Sequence, residues 1–586
     1  MAVENLITEH IDVWTSAVKT RSTSGRGSSK KLELYGVKKL RELILELAVR
    51  GKLVPQDPND EPASVLLKRI AQEKAQLVKE KKLKKPKKLP NISDEEKPFD
   101  LPNGWSWIRL NEYGEWGSGS TPKRSNSGYY DGGIPWFKSG ELKADYISES
   151  EETITELALS ETSVRYNNVG DVLVAMYGAT IGKTAILSVR ATTNQAVCAC
   201  TPFTGLSNTY LLTILKAYKA RLIGMGAGGA QPNISREKII NTVIALPSTA
   251  EQHRIVAKVD ELMALCDQLE QQTEASIEAH QVLVTTLLET LTNSVDADEL
   301  MQNWARISEH FDTLFTTEES IDQLKQTILQ LAVMGKLVPQ DPTDEPAAKL
   351  LERIAEEKAQ LIKEKKIKKQ KALSPIADDE KPFELPNGWE WCRLGDLAEF
   401  QKGYAFKSKD YLSEGLMITK IQNLTENSIR NSVYISAENL DEYEQFILLK
   451  GDIVITTVGS WFSAPLSAVG RSFVINEVFD KSLLNQNAVR VRAWKELNSV
   501  FTYNCLNSKF FKDYLVNEAQ GTANQASITQ LSIKNFLMCI PPKNEQARIT
   551  SKITELVATC NQLKACVKES QATQLQLTDA IVEQAV

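Results

Sequence analysis

Cysteine and histidine are the scarce residues of this 586-residue chain, which holds eight of the first and four of the second. No two cysteines form a CxxC pair, which excludes a zinc ribbon and a thioredoxin-like redox motif. Cys198 and Cys200 alternate within a strand-like run, so they share one face and read as reduced core thiols of a cytosolic protein. His10, His253, His280 and His310 are isolated and lack the spacing of zinc ligands, so they read as satisfied helix residues and no metal is expected. Long apolar runs are also missing: none reaches about 18 residues, so no membrane-spanning helix is expected. The opening MAVENLITEHID has no basic stretch followed by an apolar one, so it does not read as a signal peptide, and a cytoplasmic location is expected. Charge of one sign does not dominate, since 69 Lys and Arg face 75 Asp and Glu for a net −6. That balance excludes an indiscriminate polycation but permits a basic surface confined to one face.

Catalytic signatures are absent as well. Gly178-Ala179-Thr180-Ile181-Gly182-Lys183-Thr184 imitates a phosphate loop, but only three residues separate its glycines where a Walker A motif needs four. The position that should be glycine is Tyr177, and no helical pattern follows. A tight turn exposing Tyr177, Thr180 and Lys183 is the better reading. No GxGxxG follows a strand, and no GxSxG or HExxH occurs. The FxGxG and (N/D)PP(Y/F) motifs of an amino-methyltransferase are missing; Pro541-Pro542 lies between Ile540 and Lys543 and fails the second pattern.

What is present is a repeat. Residues 47–110 recur at 331–394 without a gap, and 47 of the 64 positions are identical. The offset of 284 is far beyond the roughly 20–50 residues of a solenoid unit, so this is a duplicated half-protein. Downstream, Leu246-Pro247…Glu251-Gln252-His253-Arg254-Ile255 returns as Ile540-Pro541…Glu545-Gln546-Ala547-Arg548-Ile549. Each half has shared ends and a divergent middle.

Residues 4–18 have the pattern of a short amphipathic helix, and Thr20–Lys31 reads as a flexible linker rich in Ser, Gly and basic residues. Residues 37–50 and 321–334 are spaced as helices, with Gly51 and Gly335 placed to end them in the left-handed conformation. After VPQDP a second helix is expected from Glu61 to about residue 85, ending in a lysine run. That run is either a solvated helix end or a contact with nucleic acid or a partner. From about 111 to 245 and from 395 to 539 the texture turns to short strands, such as Asp171–Met176 and Asp452–Ile455. Each β-like region leads into a long helix with an a/d seam: Ile255, Val259, Leu262, Cys266 and Leu269 in the first, Ile549, Ile553, Leu556, Cys560, Leu563 and Val567 in the second. Two such helices can pack antiparallel and hold the β-rich regions apart about a pseudo-twofold axis.

The chain resembles the specificity (S) subunits of type I restriction–modification systems. The carriers are GKLVPQDP with its lysine helix, LPNGWSW and LPNGWEW, and STPKRSNSGYYDGGIPW (120–136). To these add GDVLVAMYGATIGKTAI (170–186), NQAV (194–197), QPNIS (231–235) and ALPSTAEQHRI (245–255). The second half contributes GDIVITTVGSW, NQNAV, QASIT and IPPKNEQARI. The resemblance implies an α+β chain with two β-rich target recognition domains separated by long antiparallel coiled-coil helices. It divides the chain into an N-terminal helical conserved region (1–100), recognition domain one (101–248), a central helical conserved region (249–384), recognition domain two (385–542) and a C-terminal spacer helix (543–586). It also implies a non-catalytic subunit that recognises an asymmetric bipartite site in double-stranded DNA. Two modification subunits and the restriction subunits are the implied partners, and S-adenosylmethionine, ATP and Mg²⁺ belong to them; no cofactor is expected in this chain. Half-sites about one helical turn apart, roughly 34–36 Å, are expected.

Residue type and loop position select the DNA-reading candidates, since Arg and Lys suit guanine or phosphate while Asn and Gln suit adenine. In domain one they are Ser120, Thr121, Lys123, Arg124, Tyr129, Lys138, Tyr177, Thr180, Lys183 and Gln231. In domain two they are Lys402, Tyr404, Lys407, Lys420, Gln422, Trp461, Arg471, Asn524 and Gln525. Asn194-Gln195 and Asn485-Gln486 recur in both domains and are expected to be framework. Two other readings stay open: a coiled-coil scaffold without sequence-specific DNA reading, and a self-sufficient DNA methyltransferase or nuclease.

Overall fold

The computed structural model describes residues 3–22, 30–81, 89–226, 232–295, 297–369, 371–461, 469–522 and 525–586. Its contacts divide the chain into two compact units. One comprises Met1–Arg21, Leu32–Ala275 and Gln571–Val586; the other comprises Ser22–Lys31 and Ser276–Ser570. Four helices organise them: α1 (Tyr35–Val49), α2 (Thr249–Asn293), α3 (Glu318–Val333) and α4 (Lys543–Ala585). α2 and α4 are the seam helices, 45 and 43 residues long. Ile255, Val259, Leu262 and Cys266, with Ile549, Ile553 and Cys560, are buried as the seam predicts.

The repeat builds the same frame in each unit. In the first, Arg41 of α1 bonds Asp267 (2.7 Å) and Glu270 (2.6 Å) of α2, while Tyr35 donates to Asp579 of α4 (2.7 Å). In the second, Gln281 and Thr285 of α2 bond Glu319 and Gln323 of α3, while Asp322 of α3 pairs with Lys564 of α4 (2.6 Å). Going along α3, contacts to α2 ascend, from Gln281 to Thr285, while those to α4 descend, from Lys564 to Asn561. Within the second unit the segments of α2 and α4 therefore run antiparallel.

Below these helices lies a clasp. Trp105 Nε1 donates to Glu251 (3.0 Å), Gln56 donates to Glu251 (2.6 Å), and Asp60 pairs with Arg254 (2.6 Å). Trp389 donates to Glu545 (3.0 Å) and Asp344 pairs with Arg548 (2.6 Å) in the same way. The glutamates sit in the first turn of α2 and α4, where the helix dipole favours a carboxylate. At the other end of a long helix, Lys52 donates to the Val586 carbonyl (2.5 Å), and Lys336 to those of Thr292 (3.0 Å) and Ser294 (2.8 Å). Lysine donors suit the unsatisfied carbonyls of a helix terminus. The shared ends of the two halves are thus the two jaws of one kind of grip.

Both β-rich regions share one strand plan, to which the first adds an edge strand, β3. In the first, β1 (Gly114–Ser118), β2 (Tyr130–Phe137), β3 (Tyr146–Ile147), β4 (Thr153–Ile154), β5 (Val172–Ala175), β6 (Thr184–Leu187), β7 (Thr192–Thr193) and β8 (Val197–Pro202) form a five-stranded sheet, β1-β8-β5-β6-β3, and a three-stranded one, β7-β2-β4. In the second, β9 (Ala398–Lys402), β10 (Leu416–Thr419), β11 (Val433–Ile435), β12 (Ile453–Thr456), β13 (Ser472–Val474), β14 (Leu483–Leu484) and β15 (Ala488–Ala493) form β9-β15-β12-β13 and β11-β10-β14. The core strands are mostly apolar because both faces are covered; β5, β6 and β12 are buried at every position, with Thr184 and Thr456 as their polar members. Each region is closed by an antiparallel ribbon, Ser106–Arg109 with Val243–Leu246 and Glu390–Arg393 with Leu537–Ile540.

Three expectations change in detail. The helix over 4–18 is two helices, Val3–Glu9 and Ile11–Ser16, broken at His10. The expected linker is bounded by paired strands, Val18–Ser22 and Lys30–Leu34; its residues 23–29 lie outside the described residues. The lysine helices end early, at Lys79 and Lys363, because Lys81 and Lys365 turn left-handed with φ of 59° and 58°. The lysine run at 82–88 also lies outside the described residues. Gly51 and Gly335 end α1 and α3 with φ of 68° and 70° as expected. Among the described residues no helix is long and apolar enough to cross a membrane, and no cluster of three His, Cys, Asp or Glu could hold a metal.

Candidate nucleic-acid interface

In each β-rich region three segments converge on the turn that leads into one interior strand of the larger sheet. In the first that turn is Asn194–Ala196, between β7 and β8. Gly119 N and Ser120 N, just after β1, donate to Val197 O and Thr193 O (3.0 Å each). Asn194 N donates to Phe137 O at the end of β2 (3.0 Å), and Met176 N, just after β5, donates to Ala196 O (2.8 Å). A Cβ on Gly119 would lie 2.2 Å from Thr193 O, so only glycine lets the loop come this close.

Trp136 organises the first group of candidates. The buried indole donates to Ser120 O (3.1 Å), and the Arg124 guanidinium stacks on it and on Tyr130, 5.0 and 4.7 Å from the ring centres. Arg124 and Lys138 both bond Glu152. The two cations, Arg124 foremost, pull the Glu152 carboxyl down to about 2, and Glu152 in turn raises both of theirs. Thr121 bonds Gln195, and Lys123 is exposed beside them. Tyr129 instead donates to Glu161 (3.0 Å). Tyr177, Thr180 and Lys183 form the expected turn between β5 and β6, with Thr180 donating to Tyr177 O (2.6 Å). Tyr177 bridges to Asn233 and Gly178 N donates to Pro232 O (2.8 Å), which brings the QPNIS segment to this turn. Gln231 lies outside the described residues.

The second region uses the same stations with other side chains. Gly403 N and Tyr404 N donate to Ala488 O (2.9 Å) and Leu484 O (3.0 Å), Asn485 N to Thr419 O (3.2 Å), and Thr457 N to Asn487 O (2.8 Å). Tyr404 joins Phe406, Tyr443 and Phe446 in a ring cluster with centroids 5.0–5.3 Å from its own. Lys402 and Lys407 flank it, exposed. Lys420 follows β10 as Lys138 follows β2, and its amine lies 4.9 Å over Tyr411. Gln422 bonds Glu426 on the same short helix (2.8 Å). Arg471 reaches Thr425 of that helix (3.5 Å) and stacks on Phe473; burial lowers its pKa. Trp461 packs half-buried against the core of its unit, next to the Val458–Gly459 strand that pairs with Gln525–Ser527. Gln525 is exposed, and Asn524 lies outside the described residues.

Asn194-Gln195 and Asn485-Gln486 divide in their roles. Asn194 Oδ1 accepts from Ala196 N (3.1 Å) and builds the turn, as a framework residue should. Gln195 and Gln486 are exposed at the tip, where the candidate groups meet. Their recurrence inside otherwise divergent middles was the available signal.

Residues 102–279 and 386–573 match the family described as the type I restriction modification DNA specificity domain. Over its whole length the chain is 46% identical to the EcoAI type I restriction enzyme specificity subunit of Escherichia coli, with 100% of both chains covered. It is 43% identical, again over 100% of both, to the EcoEI specificity subunit of the same species. It is also similar to the crystal structure of the HsdS subunit from Thermoanaerobacter tengcongensis, at 19% identity and a TM-score of 0.41 over 84% of this chain and 98% of that one. Matched in both of its β-rich regions, and end to end by specificity subunits, the chain belongs to the type I restriction–modification DNA specificity family, as a non-catalytic specificity subunit.

Proposed function

We propose that each β-rich region reads one part of an asymmetric, split target in double-stranded DNA. The chain then presents that target to two modification subunits, with restriction subunits, for adenine methylation or cleavage. One observation carries the reading: an identical frame holds different side chains at matching stations. Ser120 and Thr121 stand where Tyr404 and Ala405 do, and a charged cluster on Trp136 stands where the second region has a ring cluster. The frame supplies equal mounting, and the mounted residues supply different specificities. The candidates named above are the proposed contacts. Lys123, Lys183, Lys402 and Lys407 make no ion pair among the described residues and suit phosphate; Arg124, Lys138 and Arg471 come positioned by Glu152 and by aromatic faces. The docking role falls to the conserved regions, with recognition domains at 101–248 and 385–542.

Exchanging residues 111–245 for the equivalent segment of another specificity subunit tests the reading. Methylated sites mapped across a genome should then change in one half of the target only; a change in both halves, or in neither, would overturn it.

A further inference from the structure

We propose that Gln195 and Gln486 each read one adenine–thymine base pair, one in each half of the target, an inference that rests on the split-target reading. Both side chains project from a turn held rigid by backbone bonds to three neighbouring segments. In both regions the flanking loop approaches so closely that a Cβ on Gly119 or Gly403 would lie within 2.2 Å of a turn carbonyl. Such rigidity suits a base contact, which tolerates little misplacement. An exposed glutamine contributes little to folding, so its recurrence at the tip calls for a ligand. The amide carries a donor and an acceptor side by side, which matches the N7 and N6 edge of adenine in the major groove.

The two stations differ in one respect. Thr121 bonds the Gln195 carbonyl oxygen, which keeps its second lone pair for a base. The residue matching Thr121 is Ala405, and Gln486 has no side-chain hydrogen bond among the described residues. The second turn has the same length but places Asn487, at φ 68°, where the first has Ala196. Gln195 is therefore held in place and Gln486 is free to swing, so Gln195 discriminates more sharply.

The test uses the full chain assembled with its modification subunits and a randomised duplex library. Gln195→Ala should cut discrimination at one base pair in one half by about 10–100-fold, and Gln486→Ala should cut it less, in the other half. Gln195→Glu keeps the side chain's size and should move the preference at that pair toward cytosine, which offers a donor to a carboxylate. A merely structural glutamine would not produce that switch. If both Gln195 variants weaken all duplexes equally, or leave the ranking of sequences intact, the inference fails. If the exchange of 111–245 still alters one half while Gln195→Ala alters nothing, only this inference falls and the split-target reading stands.

Discussion

At the loop after its first sheet strand, the first region sets Arg124 and Lys138 on either side of Glu152 and lays the guanidinium on Trp136. At the same place the second region packs Tyr404, Phe406, Tyr443 and Phe446 ring against ring. The backbone bonds around these clusters correspond one for one. One surface is thus ordered by charge and the other by apolar contact, on the same mount. Charge order depends on pH and salt, whereas ring packing depends on burial and shape. A frame that accepts either kind can change its reading side chains without changing its fold.

The largest effect should come from the apolar side. Phe446 is 8% exposed, and Phe446→Ala should destabilise the second unit by about 3–5 kcal/mol. In a denaturant titration followed by proteolysis its transition should move to lower denaturant while that of the first unit stays put. A shift in both units would mean that the ring cluster is not local. The frame should behave alike in both halves. Trp105→Phe and Trp389→Phe each remove the indole donor from a buried glutamate, and each should cost its own unit about 1–3 kcal/mol. Unequal losses would show that the matched geometry hides unequal energetics. The smallest effect separates the surfaces by pH. Glu152 titrates at about 2 when folded against an ordinary 4.5, so its contribution is present above 4.5 and is lost as pH falls toward 2. Glu152→Gln should flatten the acid side of the first unit's stability curve and leave the second unit's unchanged; identical curves with and without the carboxylate would remove charge as the ordering principle there.

Much of the frame is legible in the sequence. The duplication, α1 and α3 with their left-handed glycines, the buried runs of β5 and β12, and the seams of α2 and α4 follow from spacing and residue type, which act locally. The clasp does not. Trp105 and Glu251 are 146 residues apart in sequence, and nothing in either neighbourhood announces the pair. Gln56 and Asp60 are likewise engaged far along the chain, with Glu251 and Arg254. Lys81 cut its helix short because a single left-handed residue outweighs a run of good helix formers. Glutamines 195 and 486 recur, which favours framework, and both are exposed; recurrence distinguishes shared from unshared positions but not inside from outside.

The grip on the long helices bears on the order in which the chain can be made. Tyr35 bonds Asp579 across 544 residues, and Lys52 reaches Val586 across 534. A ribosome adding roughly 5–20 residues per second needs about half a minute to two minutes to pass from one to the other. Throughout that interval the first unit lacks its last helical turns and its apolar seam is open, while most of the second unit emerges as one continuous stretch. Tyr35 and Lys52 are therefore sealed long after they are made.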